Sequence, residues 1–344
     1  MTNDTNNGKV NMKTLAKVLN LSTATISKAL SDSHEISYET KQRVLDTAAQ
    51  LNYVPNHFAS SLRKRQSNTL AIVLPEIADS FFSQAINGIE SIITKHNYHA
   101  LIYLTHESYE REVHMFNELS GGRVDGVLMS VASGTKDTSH IKALQEAGIP
   151  VVFFDRICED IPAAQIETDD RHSAYVATCH LIDQGCKNIS LVTIDGYPSI
   201  FQSREEGYKK ALTDMGINLQ TYSILTLSNQ HTQDNVSELV KHLNEYKPDG
   251  ILATVEHLAT TTYMACEETG LRIPQDVKVI CFTNQITASI LNPPLTTIFQ
   301  PAFEMGKQAA ELLFAHFSGK RVQIEKEHIV IPSQLITRGS TANL

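Results

Sequence analysis

Hydrophobic positions near the start of the chain recur at helical spacing. Leu15, Val18 and Leu19 predict a helix over 12–19. Asn20-Leu21-Ser22 interrupts it, and Asn tolerates the left-handed conformation of a tight turn. Ser22 is a candidate N-cap for a second helix over 23–30, with Ile26 and Leu30 facing inward. A third helix is predicted from Ser37 to 51, with Val44, Leu45, Ala48 and Leu51 as its apolar stripe. Two helices joined by a short turn and packed on a third make a helix-turn-helix. In that motif the second helix enters the major groove of DNA. Its outward residues here are Thr23, Ala24, Thr25, Ser27 and Lys28, mostly small and polar. Lys28 can donate to guanine O6 and N7, and Ala24 or a threonine methyl can touch a thymine methyl. The same pattern also fits a small three-helix domain with a solvated polar face.

Val54 before Pro55 ends the helical stretch, because proline pushes its predecessor out of the helical region. Asn56 can cap a short segment over 57–63, followed by the basic polar stretch 64–68. From Thr69 the pattern changes. Strand-like runs at 69–74, 100–104, 126–129, 151–154, 189–194, 250–253 and 277–282 alternate with amphipathic stretches such as 83–95, 111–119, 174–184, 204–215 and 235–246. This alternation predicts parallel sheets covered by helices. In such sheets ligands sit at the carboxyl ends of the strands. Asp79-Ser80-Phe81-Phe82 follows the first strand and Asp155-Arg156 follows the fourth. Phe81 can stack on the apolar face of a sugar, whereas Phe82 reads as core. Asp155 and Arg156 can bind hydroxyls or pair across a hinge. Ser130 and Thr283 are weaker candidates.

Length and charge refine this picture. A chain of 344 residues suggests two or three domains. Residues 1–66 hold nine Lys and Arg against five Asp and Glu, a charge of +4, while the remainder carries 20 against 33, a charge of −13. A basic head on an acidic body suggests a polyanion-binding module joined to something that is not one. The five cysteines form no C-x-x-C pair, and the 14 histidines show no H-E-x-x-H spacing. Neither a disulfide scaffold nor a metal site is expected. Leu74-Pro75-Glu76 stands where a dinucleotide fold would place G-x-G-x-x-G, and neither a phosphate-binding loop nor G-x-S-x-G occurs. No catalytic residue, cofactor or enzyme activity is therefore expected. No apolar run spans a membrane, and the polar first eleven residues lack a signal core, so a cytoplasmic, nucleoid-associated protein is expected.

The segment from Val10 through Leu51-Asn52-Tyr53-Val54-Pro55-Asn56, followed by Ala59-Ser60-Ser61-Leu62, resembles the lactose-repressor (LacI/GalR) family of bacterial transcription regulators. The resemblance continues over nearly the whole chain. It implies an all-α helix-turn-helix head over 8–56 and a hinge helix with linker over 57–68. The rest, 69–344, would be a two-lobed α/β effector domain like periplasmic binding proteins. Its N-lobe would take about 69–167 and 298–331, and its C-lobe about 168–297 and 332–340. The resemblance further implies DNA contacts from Thr14, Ser22, Thr23, Ala24, Thr25, Ser27, Lys28, Tyr53, Asn56, His57, Ala59 and Leu62. Leu62 matches the residue that wedges into the minor groove and kinks the operator.

For the effector the resemblance points to Arg204, which matches the family's ligand-contacting arginine, with Ser80, Phe81, Ser130, Asp155, Arg156, Val255 and Thr283 around it. Two departures stand out. The family's G-[FY]-D-[DN] reads Cys281-Phe282-Thr283-Asn284 here, and its N-D reads Val255-Glu256. These put a standard monosaccharide pose in doubt. The expected function is a homodimeric regulator, a repressor. It would bind near-palindromic operator DNA under control of a small-molecule effector, a carbohydrate by family expectation. The alternative is an intracellular sugar-binding or sugar-modifying protein whose head does not bind DNA. The chain ends without a heptad repeat, so no coiled-coil tetramer tail is expected.

Overall fold

The structure, a computed structural model, describes residues 10–53, 67–195, 199–217, 223–229, 233–319 and 323–343. The chain divides into two compact units between Ser67 and Asn68.

The first unit contains α1 (Met12–Leu19), α2 (Thr23–Leu30) and α3 (Tyr38–Gln50). Local chemistry sets the ends of all three. Asn11, Ser22 and Ser37 each accept a hydrogen bond from the backbone N–H three residues on, satisfying one of the orphan donors of a helix start. Asn20 closes α1 in the left-handed region at φ 53°. Leu15, Ala16, Ile26, Ala29, Val44 and Ala48 form the core. Two stripe residues face outward instead: Val18 is 60% exposed and Leu45 is 45% exposed. At about 100° per residue, Met12, Leu15, Ala16 and Leu19 share an arc that leaves Val18 on its flank, and Leu45 sits likewise off the Val44–Ala48–Leu51 face. The small Ala16 extends the contact face in place of Val18.

The second unit is built on two six-stranded sheets. The first has the order β11-β5-β4-β3-β1-β2, all parallel, from β1 (Thr69–Leu74), β2 (His99–Leu104), β3 (Gly126–Met129), β4 (Val151–Phe154), β5 (Ala164–Thr168) and β11 (His328–Ile331). The second has the order β12-β10-β9-β8-β6-β7, from β6 (Ile189–Ile194), β7 (Ser223–Leu227), β8 (Gly250–Ala253), β9 (Lys278–Phe282), β10 (Thr296–Phe299) and β12 (Gln334–Ile336); only β12 runs antiparallel. The chain therefore passes between lobes three times: after β5, after β10, and between β11 and β12. Strands β1, β3, β4, β6, β8 and β9 are almost continuously apolar and buried, as expected for strands covered on both faces.

Helices α4 (Ser80–Ile93), α5 (Tyr109–Leu119), α6 (Ser139–Glu146) and α11 (Ala302–Phe317) pack on the first sheet. Helices α7 (Asp170–Asp183), α8 (Ser199–Asp214), α9 (Gln233–Tyr246) and α10 (His257–Thr269) pack on the second. Helix α11 follows a C-lobe strand yet returns to α4 of the other lobe. The two helices touch backbone to backbone. A Cβ on Gly306 would lie 2.1 Å from the Ala85 carbonyl oxygen, and one on Gly88 would lie 2.0 Å from that of Phe303. Gly306→Ala must push the helices apart, so a loss of about 1–3 kcal/mol is expected. Urea unfolding of the full chain measures it, and an unchanged midpoint would show that the pair can part at no cost.

Candidate functional site

In the head, Ser22 Oγ accepts from the Thr25 N–H at 3.0 Å, fixing the start of α2. Ser22, Thr23, Ala24 and Lys28 are exposed, and Thr25 and Ser27 are half-buried beside them. Lys28 is held by Glu35, so its ammonium must leave that partner to meet a base. Thr14 is exposed and bonded to the Asn11 cap, while the half-buried Tyr53 packs against the head core. Asn56, His57, Ala59 and Leu62 lie outside the described residues.

In the second unit, the ends of β4, β8, β9 and β10 and the start of α4 converge on a cleft between the lobes. Phe81, Asp155, Arg156, Arg204, Val255 and Thr283 all line it. Ser80 joins through its N–H, which donates to Glu256 Oε1 at 2.9 Å, and through its hydroxyl, which also bonds Glu256. Ser130 is buried behind Asp155, with its hydroxyl 3.5 Å from that carboxylate. Phe82 belongs to the lobe core and also reaches the lining.

The sequence reading passed over Glu256, Asn284 and Gln300. Glu256 and Asn284 stand in the stretches that depart from the family pattern, Glu256 in place of the usual aspartate. Glu256 also accepts from Thr283 Oγ1 at 2.7 Å, and Asn284 Nδ2 donates to Gln84 at 3.1 Å and to the Gln300 carbonyl at 2.7 Å. Ser80 and Gln84 belong to the first lobe and Glu256 and Asn284 to the second, so these bonds close the cleft. The remaining space is about 30 Å³, room for one water. Gln300 follows β10, a strand the sequence pattern did not show.

Both arginines are anchored inside the protein. Arg204 Nε donates to Asp170 at 2.6 Å, Nη1 donates to the Thr254 carbonyl, and the guanidinium lies 4.1 Å over the Phe282 ring. Arg156 Nη1 donates to both Glu107 oxygens at 2.8 and 3.0 Å. Burial pushes Glu107 up, but the Arg156 guanidinium and the Ser133 amide outweigh it and hold Glu107 below its ordinary value. Asp155 leaves β4 at φ 65°, a left-handed conformation that aspartate tolerates. Burial, assisted by Asp170, pushes its carboxyl up to about 7 against the pull of Arg156. Desolvation and the Glu256 charge push Asp79 up to about 6. A larger cavity of about 550 Å³ borders α7 and α8, with Asp170 in its wall, so the Asp170–Arg204 pair has one partner in each space.

Among the described residues no helix is long and apolar enough to cross a membrane, and no three acidic, histidine or cysteine side chains could share a metal ion. Burial pushes the thiols of Cys158, Cys186 and Cys266 up to about 12, which keeps them un-ionised and poor nucleophiles.

Residues 11–56 match the family of bacterial regulatory proteins named for lacI, and residues 178–341 match the periplasmic binding protein-like domain. Catabolite control protein A of Priestia megaterium is 28% identical over 331 residues, covering 95% of this chain and 98% of that protein. The structure of a LacI family transcriptional regulator from Enterococcus faecium with bound ribose aligns with a TM-score of 0.72 at 28% identity, over 80% of this chain and 99% of that one. The lac repressor dimer bound to operator and the anti-inducer ONPF shares the fold, with a TM-score of 0.85 at 22% identity over 98% of this chain and 100% of the other. The chain thus joins a DNA-binding domain of the lacI type to a periplasmic binding protein-like domain, and over nearly its whole length it is similar to transcriptional regulators of the LacI family.

Proposed function

We propose that this protein is a cytoplasmic repressor that binds a near-palindromic operator as a homodimer and responds to a small polyhydroxylated effector, a carbohydrate, held between its lobes. The observation that carries the reading is the convergence of Asp155, Arg156, Arg204 and Thr283 on one inter-lobe cleft beside the rings of Phe81, Phe82 and Phe282. Directional polar groups beside aromatic faces suit a sugar. The E. faecium relative with bound ribose supports that class. In this reading 8–56 reads DNA, 57–68 is the hinge and 69–344 binds effector and partner. The N-lobe takes about 69–167 and 298–331, and the C-lobe about 168–297 and 332–340.

An effector must part the Ser80–Glu256 and Gln84–Asn284 contacts to enter, so binding changes the angle between lobes. The change reaches the hinge as a coupling free energy of about 1–3 kcal/mol. Dimerisation is supported by β2, the edge strand of the first sheet, where Leu101 and Ile102 are 40% and 43% exposed.

Selection of random DNA duplexes by the full chain at near-physiological salt tests the reading. Enrichment of a near-palindrome with a flexible pyrimidine–purine centre is expected. Enrichment of no sequence, with and without a pool of sugars, would overturn it. On the selected duplex Lys28→Ala is expected to weaken binding by about 1–3 kcal/mol and to relax preference at one position of each half-site. Equal loss on all sequences would assign Lys28 to the phosphates instead.

A further inference from the structure

We propose that the effector carries a protonated amine as well as hydroxyl groups, as an amino sugar does, and that the amine sits among the carboxylates of Asp79, Asp155 and Glu256. The inference rests on the reading of the inter-lobe cleft as the effector site.

The cleft is short of positive charge. Asp79, Asp155 and Glu256 line it, and Glu107 and Asp170 stand directly behind its two arginines. Five carboxylates around two guanidiniums leave a formal excess of three negative charges. The guanidiniums are already engaged: Arg204 by Asp170, and Arg156 by Glu107. The three lining carboxylates have only neutral hydrogen-bond donors. Asp79 accepts from the Phe81 N–H at 2.8 Å, and Glu256 accepts from Ser80 and Thr283. Asp155 is met by Ser130 at 3.5 Å, and Arg156 Nε stands 3.9 Å away, beyond hydrogen-bond reach. Buried carboxylates with no cation in hydrogen-bond contact are costly, and a ligand that supplies one is favoured over a neutral ligand of the same shape. The raised proton affinities of Asp79 and Asp155 agree with this charge excess.

A second observation defines the rest of the ligand. Arg156 is 6% exposed, and its Nε has no hydrogen-bond partner. A buried donor without an acceptor calls for an oxygen from outside. A hydroxyl or ring oxygen supplies it, and the ammonium supplies three donors to the carboxylates.

The test uses the full chain, with calorimetric titration of glucosamine, galactosamine and mannosamine against their parent hexoses, N-acetyl derivatives and sugar acids. At least one amino sugar is expected to bind tenfold or more tightly than its parent, with binding lost on acetylation. Asp79→Asn removes a charge while an asparagine still caps α4, and it is expected to weaken that amino sugar at least tenfold and the parent hexose by much less. A neutral or acidic sugar binding as tightly as any amine, or an unchanged amine affinity in Asp79→Asn, overturns the proposal and leaves the cleft reading standing. No binding by any member of the panel overturns the amine proposal and counts against the carbohydrate-cleft reading as well.

Discussion

Asp170→Ala is expected to lower the unfolding free energy by about 3–5 kcal/mol, the largest single-residue effect on stability in the second unit. Arg204 and Asp170 are 2% and 5% exposed, and their 2.6 Å bond is the charged contact of the Arg204 guanidinium. Removing the carboxylate leaves a guanidinium buried against Phe282 with only the Thr254 carbonyl as acceptor. The attraction between the partners does not by itself set the size of the loss. Most of the loss comes from the buried guanidinium N–H left without its acceptor. Asp170→Leu combined with Arg204→Met is therefore expected to recover much of the stability, because both charges leave together. Urea unfolding of the full chain, followed by two probes, measures both variants. A single variant within 0.5 kcal/mol of the parent, roughly the range of neutral surface changes, would show that Arg204 finds another partner.

Operator affinity is expected to fall by about a thousandfold or more between 50 and 200 mM salt. The described part of the head presents Lys13, Lys17, Lys28 and Arg43 as exposed cations, and the two heads of the proposed dimer would double the number facing one duplex. Roughly six to ten neutralised phosphates release enough counterions for a loss of that size. The acidic body adds no compensating attraction, since the chain beyond residue 66 carries −13. Titration of the selected duplex at four salt concentrations gives the slope of log K against log salt. A slope shallower than about −3 would mean few phosphate contacts and would sink the placement of the head across the backbone.

Much of the architecture is legible in the residues. Ser22 and Ser37 cap α2 and α3 where the sequence places them, because capping depends only on a side chain and the backbone three residues away. Strands β1, β3, β4, β6 and β8 have the predicted bounds, because runs of β-branched and other apolar residues between turns suit a sheet buried on both faces. Strands β5, β10, β11 and β12 are short or half-polar and left no comparable signal. All four flank the crossings between lobes, and α11 then packs on α4 through Gly88 and Gly306.

The cleft divides in the same way. The sequence alone placed candidate side chains at the carboxyl ends of the strands, naming Phe81, Asp155, Arg156 and Thr283, and the family resemblance added Arg204; all five line one cleft. The strand-end positions follow from strand periodicity, which is local, and Arg204 lies inside α8. Only the tertiary structure decided which of these groups are spoken for. Ser80 and Glu256 meet across 176 positions of chain, and Asn284 meets Gln84 across 200. Arg204 turns to Asp170 and Arg156 to Glu107, so neither guanidinium hydrogen-bonds the carboxylates that line the cleft. Such pairings depend on how closely two independently folded sheets approach, and no local propensity encodes that distance. The net charge of the cleft is therefore a property of the assembled lobes, although every charged residue in it could be read from the chain.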